Sequence, residues 1–315
     1  MQTRSPRLCS LSVKDAAKAN GFDACGIAAA RDIDPDDRLG QWLANGYHAD
    51  MAWMANTREV RQNVQRKLPG AKSVVVVARN YYAQRPGKPE GAGRVSRYAW
   101  GRDYHNVLRK PLRRIAEHIQ SLSPMAETYC CIDSGPVMEK AWAMQAGLGW
   151  IGKNSLVLRK GLGSWFFLGV VLTTLELEPD APATDQCGAC RLCIDACPTE
   201  ALVDPRTVDA TKCISYHTIE NRGEIPQPIR ERMKDWVFGC DICQEVCPWN
   251  RRPVTTTESD FLPRESQAHL TKEGIVDMDE KGFLNRFAGT PLMRAKLHGL
   301  VRNLDIIETN TPLQG

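Results

Sequence analysis

No stretch of this sequence approaches the roughly 20 consecutive apolar residues that a membrane-spanning helix needs. The longest apolar runs, Val74–Ala78 and Trp165–Leu172, stop far short. Residues 1–20 hold no apolar segment of the roughly 7–15 residues found in a secretory signal, so a cytoplasmic protein is expected. No solenoid-type repeat is present. Histidine is scarce, and His48, His105, His118, His217, His269 and His298 form no pair at metal-ligand spacing. Each reads as an ordinary surface or core residue. Neither sign of charge dominates: 41 basic and 37 acidic residues leave +4, and 43% hydrophobic content excludes a mainly disordered chain. A chain of 315 residues can form one large domain plus a smaller one, and at about 75% burial it needs no covalent staples. Disulfides are rare in the cytosol. The twelve cysteines therefore ask for another chemistry.

Eight of them, from Cys187 to Cys247, lie within 61 residues; Cys9, Cys25, Cys130 and Cys131 are scattered. Charge is just as uneven. Residues 1–180 carry 25 basic and 17 acidic residues, whereas residues 181–250 carry 7 and 11. Within Arg58–Arg114, fifteen basic residues face only Glu59, Glu90 and Asp103. Such an excess attracts a phosphate backbone, unless acids elsewhere in the fold neutralise it. The stretch 176–183, with two prolines and three acids, reads as a linker. The expected division is 1–178, 179–250 and a C-terminal extension over 251–315.

Helices are expected over Leu11–Ala19, Asp36–Asn45, Asp103–Leu122 (with a kink or restart at Pro111) and Pro136–Ala146. Strands are expected over Asp23–Ala29, Lys72–Arg79, Glu127–Ile132, Leu156–Leu158 and Trp165–Thr173. Tyr81–Gly101, with two prolines and four glycines, reads as a long loop. Alternation of the two element types predicts an α/β first domain.

Cys187-x2-Cys190-x2-Cys193-x3-Cys197-Pro198 is the run of bacterial ferredoxins, in which three thiolates wrap one cubane and the fourth reaches a second. Cys240-x2-Cys243-x3-Cys247-Pro248 repeats its end, and Cys213 is the nearby candidate to complete it. Crossed pairing gives one 4Fe–4S cluster on Cys187, Cys190, Cys193 and Cys247, and another on Cys197, Cys213, Cys240 and Cys243. Structural zinc favours paired C-x2-C ribbons, which this run does not resemble. A ferredoxin accounts for only part of the chain; some 180 residues precede the motif. That surplus points to a catalytic domain fed by the clusters.

Gly147-x-Gly149-x-x-Gly152-Lys153-Asn154 matches a dinucleotide fingerprint and nearly a Walker loop. A helix precedes it where a strand is required, and Asn154 replaces the magnesium-binding hydroxyl. Asp103-x-His105-x-x-Leu108 lacks the glycine of the D-x-H-x-x-G pattern that supplies a histidine to cobalamin cobalt.

Several motifs then occur in order. They are Gly101-Arg-Asp-Tyr-His105, Asp133-Ser-Gly-Pro136, Gly147–Asn154, Gly163-Ser-Trp-Phe-Phe-Leu-Gly169, the ferredoxin run, Lys212-Cys-Ile-Ser-Tyr216, Thr218-Ile-Glu220, Trp236–Asp241 and Cys247-Pro-Trp-Asn-Arg251. The series, spanning roughly residues 10–305, closely resembles the epoxyqueuosine reductase family. The resemblance implies an N-terminal cobalamin-binding domain like that of reductive dehalogenases, followed by a ferredoxin-like two-cluster domain. It implies reduction of epoxyqueuosine to queuosine at the wobble base of tRNA, the last step of queuosine formation. An unidentified electron donor and a monomer are expected with it. Asp133 is the implied proton donor, its pKa raised in a dry pocket; the competing role is an N-cap for the helix expected at Pro136, shared with Ser134. Implied cobalamin contacts are Arg97, Tyr104, Asp133, Lys140, Lys153, Asn154, Ser155, Ser164, Ser215 and Asp241. Three departures stand out. Lys140 replaces an arginine, exchanging a bidentate fork for a point charge. His217 replaces a leucine, and a C-terminal helical-repeat region is not expected. The rival readings are a cobalamin reductive dehalogenase acting on a small molecule, a non-enzymatic iron–sulfur electron carrier, and a tRNA-binding or chaperone module with structural clusters. The basic segment opposes the first and the large first domain the second.

Overall fold

The computed structural model describes residues 5–264 and 267–310. Residues 1–4, 265–266 and 311–315, which include both outer ends of the expected division, lie outside the described residues. The chain runs α1 (Pro6–Ala19), β1 (Ala24–Ala29), α2 (Arg38–Ala44), α3 (Ala52–Asn56), α4 (Arg58–Gln62), β2 (Ser73–Asn80) and β3 (Gly93–Val95). It continues through α5 (Tyr104–Leu122), β4 (Thr128–Cys131), α6 (Glu139–Gln145), β5 (Trp150–Ile151), β6 (Val157–Leu158) and β7 (Phe166–Thr173). The cysteine-rich part holds α7 (Leu192–Asp195), β8 (Leu202–Asp204), β9 (Thr207–Val208), α8 (Ile214–Ile219), α9 (Gln227–Arg230), β10 (Trp236–Phe238) and α10 (Ile242–Glu245). Last come β11 (His269–Leu270), α11 (Glu280–Phe287) and α12 (Lys296–Asn310).

The main sheet has the order β1-β2-β7-β4, and every pair in it is antiparallel. Alternating helices and strands suggested α/β; the pairing makes this an antiparallel sheet with helices on its faces. Val74–Ala78 is fully buried because both faces are covered. Each such valine contributes on the order of 1.5–3 kcal/mol. One face packs on α1 and α5 through Val13, Leu112, Ile115 and Ile119; the other packs on α6 through Trp142 and Ala143. Helix α5 runs unbroken through Pro111 to Leu122, so the expected restart is absent.

Tyr81–Gly101 departs most from expectation. It is no free loop: β3 pairs with β10 and β11, and Val95, Ala99 and Trp100 are buried in a core with Phe238, Phe283 and Phe287. Gly101 permits this crossing, since a Cβ there would run into the Asp260 carbonyl. This core draws on all three expected segments of the chain.

Candidate functional site

Asp133 follows the edge strand β4. Its backbone is left-handed, φ +53°, a conformation that Asp and Asn tolerate better than bulkier residues. Tyr104, the first residue of α5, donates its hydroxyl to Asp133 Oδ2 at 2.6 Å. The Tyr104 ring is stacked between His105 and Phe167, with centroids 4.2 and 4.3 Å away. Burial and the Asp133 carboxylate hold its phenol protonated far beyond the usual range. Tyr104 is therefore the donor of this bond and Asp133 the acceptor. His105 bridges two acids: Nδ1 lies 2.8 Å from Asp103 Oδ1, and Nε2 lies 3.7 Å from Asp133 Oδ2. Sequence reasoning set His105 aside because it has no histidine partner; its partners are carboxylates.

Two expectations are corrected here. The Asp133 side chain is 69% exposed, not in a dry pocket. Its strand lies at the sheet edge. The following helix begins at Glu139, not Pro136, with Met138 at its N-cap and no side-chain cap bond. Neither Asp133 nor Ser134 caps it.

Behind Asp133, the Cys131 thiol donates to Glu139 Oε1 at 3.2 Å. Burial, helped by the Asp133 charge, pushes Glu139 up to about 7. A carboxyl whose folded pKa is raised from 4.5 favours folding fully below that value and loses the contribution as pH rises through about 7. Glu139→Gln is therefore expected to gain stability relative to the parent as pH rises from about 5 to about 8. The gap should be on the order of 2 kcal/mol, allowing for partial exposure. Thermal unfolding at the two pH values measures it; parallel pH dependence of the two proteins would contradict it.

The turn Lys153-Asn154-Ser155 joins three parts of the molecule. Lys153 Nζ donates to the carbonyls of Gly188 and Cys190, at 2.7 and 2.9 Å. Asn154 Nδ2 donates to the Cys243 carbonyl at 3.4 Å. The Ser155 carbonyl accepts from Lys140 Nζ at 2.8 Å, on the helix that follows Asp133. The preceding glycines serve this packing: a Cβ at Gly149 would strike the Leu158 carbonyl, and one at Gly152 would crowd Leu158. They build the β5–β6 hairpin, not a phosphate cradle.

Arg97 and Asp241 are used on each other. Asp241, fully buried, accepts from Ser96 Oγ at 2.5 Å, from the Arg97 amide at 2.9 Å, and from the Arg97 and Arg85 guanidiniums at 3.2 Å each. Both guanidiniums lie over Trp100. The network pins the Cys240–Cys243 segment to the chain on either side of β3. Ser164 is likewise committed, donating from Oγ to Gln244 Oε1 and from its amide to Asn250 Oδ1. Arg97, Lys153, Asn154, Ser164 and Asp241 thus tie the cysteine loops to the chain that precedes them, while Tyr104 bonds Asp133 and Lys140 bonds the Ser155 carbonyl. Ser215 belongs to neither group; its backbone N–H approaches the Cys213 sulfur. Arg85, Gln244 and Asn250 complete these ties; Asn250 lies in the Cys247–Arg251 motif, whereas Arg85 stands in no motif and Gln244 is only a spacer in the second cysteine run. His217 is buried among Thr211 and Asn221 and is structural.

None of the twelve cysteines is in a disulfide. Their mutual influence sorts the eight clustered ones into two neighbourhoods. Cys187 and Cys190 disfavour ionisation of Cys247, and Cys187 and Cys247 do so for Cys193. Cys197 acts on Cys213 and Cys243, and Cys213 on Cys240 and Cys243. Cys193 also reaches Cys243, so the neighbourhoods adjoin. No three His, Cys, Asp or Glu among the described residues are gathered tightly enough to form a single-ion site. Trp150, Leu158 and Trp249 pack around Cys247 and Cys187.

The basic excess of Arg58–Arg114 is mostly internal. Arg58, Arg66, Lys72, Arg79, Arg85, Lys88, Arg94, Arg97 and Arg102 pair with acids, nearly all from elsewhere in the chain. Arg109, Lys110, Arg113 and Arg114 remain exposed on α5 with no ion pair among the described residues. They lie on the helix whose first residue holds Asp133.

The family model "Epoxyqueuosine reductase QueG, DUF1730" matches residues 61–134, and the model "4Fe-4S double cluster binding domain" matches residues 186–250. An epoxyqueuosine reductase from Gloeobacter violaceus is 45% identical over 298 residues, 92% of this chain and 93% of its own length. An epoxyqueuosine reductase crystallised with a tRNA-Tyr epoxyqueuosine-modified tRNA stem loop is 28% identical, with a TM-score of 0.90, over 97% of this chain and 82% of that one. A Bacillus subtilis epoxyqueuosine reductase, with a catalytic aspartate loop swung out of its active site, is 28% identical with a TM-score of 0.89 over the same shares. The chain belongs to the epoxyqueuosine reductase family.

Proposed function

We propose that this protein reduces the epoxide of epoxyqueuosine to the cyclopentene of queuosine at the wobble nucleotide of tRNA, using two 4Fe–4S clusters and cobalamin. The observation that carries the reading is the Lys153–Ser155 turn, which links both cysteine loops to the Asp133 segment. Electrons delivered through the cysteine-rich part arrive where a carboxyl side chain stands open to a substrate. The thiol neighbourhoods support crossed ligation, with Cys247 completing the first cluster and Cys197 the second. A tetrahedral zinc site, with Zn–S of about 2.3 Å, would draw four sulfurs closer together. Cobalamin, when bound, supplies the low-valent metal that passes electrons to an epoxide carbon.

The residues of the chain handle the proton and the position. Removing an epoxide oxygen as water consumes two electrons and two protons. Asp133 donates one proton to the departing oxygen from Oδ1, while Tyr104 holds Oδ2, and the second proton comes from solvent. Substrate and cofactor close over the exposed carboxyl and supply the dry surroundings that the protein alone does not. Tyr104, Lys140 and Ser155 would contact the corrin side. Arg97, Lys153, Asn154, Ser164 and Asp241, also implied contacts, hold the cluster loops in place. The protein acts in the cytoplasm as a monomer and takes electrons from an external one-electron donor. A strain lacking the gene should accumulate epoxyqueuosine in its tRNA nucleosides and lose queuosine; unchanged queuosine would contradict the proposal.

The four unpaired cations of α5 form the phosphate-binding face. Binding of the modified tRNA should weaken steeply with salt, by about 0.7 to 0.9 log units per log unit of salt for each phosphate contacted. Replacing Arg109, Lys110, Arg113 and Arg114 together by Gln should flatten that slope by roughly 3 units. Iron content should be unchanged. Fluorescence anisotropy across a salt series measures both slopes; equal slopes would remove α5 from the interface.

A further inference from the structure

A second feature lies in the segments that pack beside the start of α5. The turn before α3, the C-terminal end of α8 and the segment before α12 enclose a cleft of about 370 Å³, lined by Asp50, Trp53, Glu220, Arg222, Gly223 and Arg294. Trp53 is 41% exposed although large and apolar. The Arg294 guanidinium lies over its ring, 5.3 Å from the centroid. Glu220 fixes that guanidinium through a bidentate pair, with contacts of 2.7 to 3.0 Å. Arg222 is spent on the carbonyls of Ile219, Arg294 and Ala295. Two acids and two arginines leave the cleft neutral. The Asp103 amide donates to the Gly289 carbonyl at 2.7 Å, which joins the start of α5, where Tyr104 holds Asp133, to the segment that carries Arg294.

We infer that this cleft takes an unpaired nucleobase of the anticodon loop, stacked on Trp53 beside Arg294, from a nucleotide adjacent to the modified one. The inference rests on the proposed function and names a substrate subsite for it. A neutral cleft suits a planar uncharged base better than a phosphate. Single-stranded RNA is held by stacking on aromatic side chains and guanidinium planes. An exposed tryptophan under a guanidinium clamped by Glu220 offers both surfaces, already oriented. Presenting the wobble nucleotide to Asp133 requires splaying the loop, and a neighbouring base then needs a new stacking partner.

The experiment measures affinity of the cluster- and cobalamin-loaded enzyme for an epoxyqueuosine-containing anticodon stem loop, and for versions abasic at either flanking position. Trp53→Ala should weaken binding of the intact stem loop roughly 5- to 150-fold, the worth of one base–aromatic stack, and Trp53→Phe should recover most of it. One abasic stem loop should bind the parent enzyme with a similar loss, and Trp53→Ala should then add little. The α3 helix has no buried residue, so the substitution removes no core packing. Unchanged affinity in Trp53→Ala, or losses that multiply with both abasic stem loops, would overturn the inference while parent turnover stood. Failure of the parent enzyme to bind or convert the intact stem loop would instead overturn the proposed function.

Discussion

Asp133→Asn should slow the chemical step by roughly 10²–10⁴-fold, the usual worth of general acid catalysis. The substitution is conservative in every other respect. Asn tolerates the left-handed backbone that residue 133 adopts. Its amide oxygen can still accept from Tyr104, which donates to Asp133 at 2.6 Å. No helix depends on this side chain, since α6 starts six residues later. Cluster content, cobalamin binding and tRNA affinity should therefore stay near parent values. The assay is single-turnover reduction with pre-reduced enzyme, so that electron delivery cannot limit. A rate within a few-fold of the parent would remove Asp133 as the acid and leave Tyr104 or a bound water as the proton source.

Cys213→Ala should abolish multiple turnover and cut iron and sulfide from about eight to about four per chain. Cys213 lies among Cys197, Cys240 and Cys243 by its electrostatic neighbours. Crossed ligation makes a sharper demand. Cys197→Ala should lose the same cluster as Cys213→Ala, although Cys197 ends the other motif. Cys25→Ala is the control: burial pushes that thiol to about 12, and it stands in the first sheet, apart from both neighbourhoods. Mössbauer spectra and iron counts distinguish the outcomes. Two intact clusters in Cys213→Ala, or different clusters lost in the two variants, would refute the assignment.

The chemistry was more legible in the sequence than the architecture. The spacing and proline of the Cys187–Pro198 run carry their own geometry, because a short loop can wrap a cubane in few ways. The Val74–Ala78 strand was legible because a run buried on both faces has no polar alternation to confuse it. Strand direction was not, since antiparallel and parallel sheets covered on both faces leave similar patterns. Nor was β3, whose three residues are held by strands more than 130 positions away. Charge misled in the same way: a count along the chain cannot see that Arg79 pairs with Glu258 or Arg94 with Asp235. Asp133 was found through its motif; its exposure and its bond to Tyr104 depend on an edge strand and a helix start that only meet in three dimensions.

The most direct measurement is mass spectrometry of nucleosides from epoxyqueuosine-containing tRNA after incubation with the purified, cluster- and cobalamin-loaded protein and a one-electron reductant. Epoxyqueuosine should be replaced by queuosine, one oxygen atom lighter, in an amount stoichiometric with enzyme in a single turnover. Epoxyqueuosine recovered unchanged from enzyme whose clusters are demonstrably reduced would contradict the account.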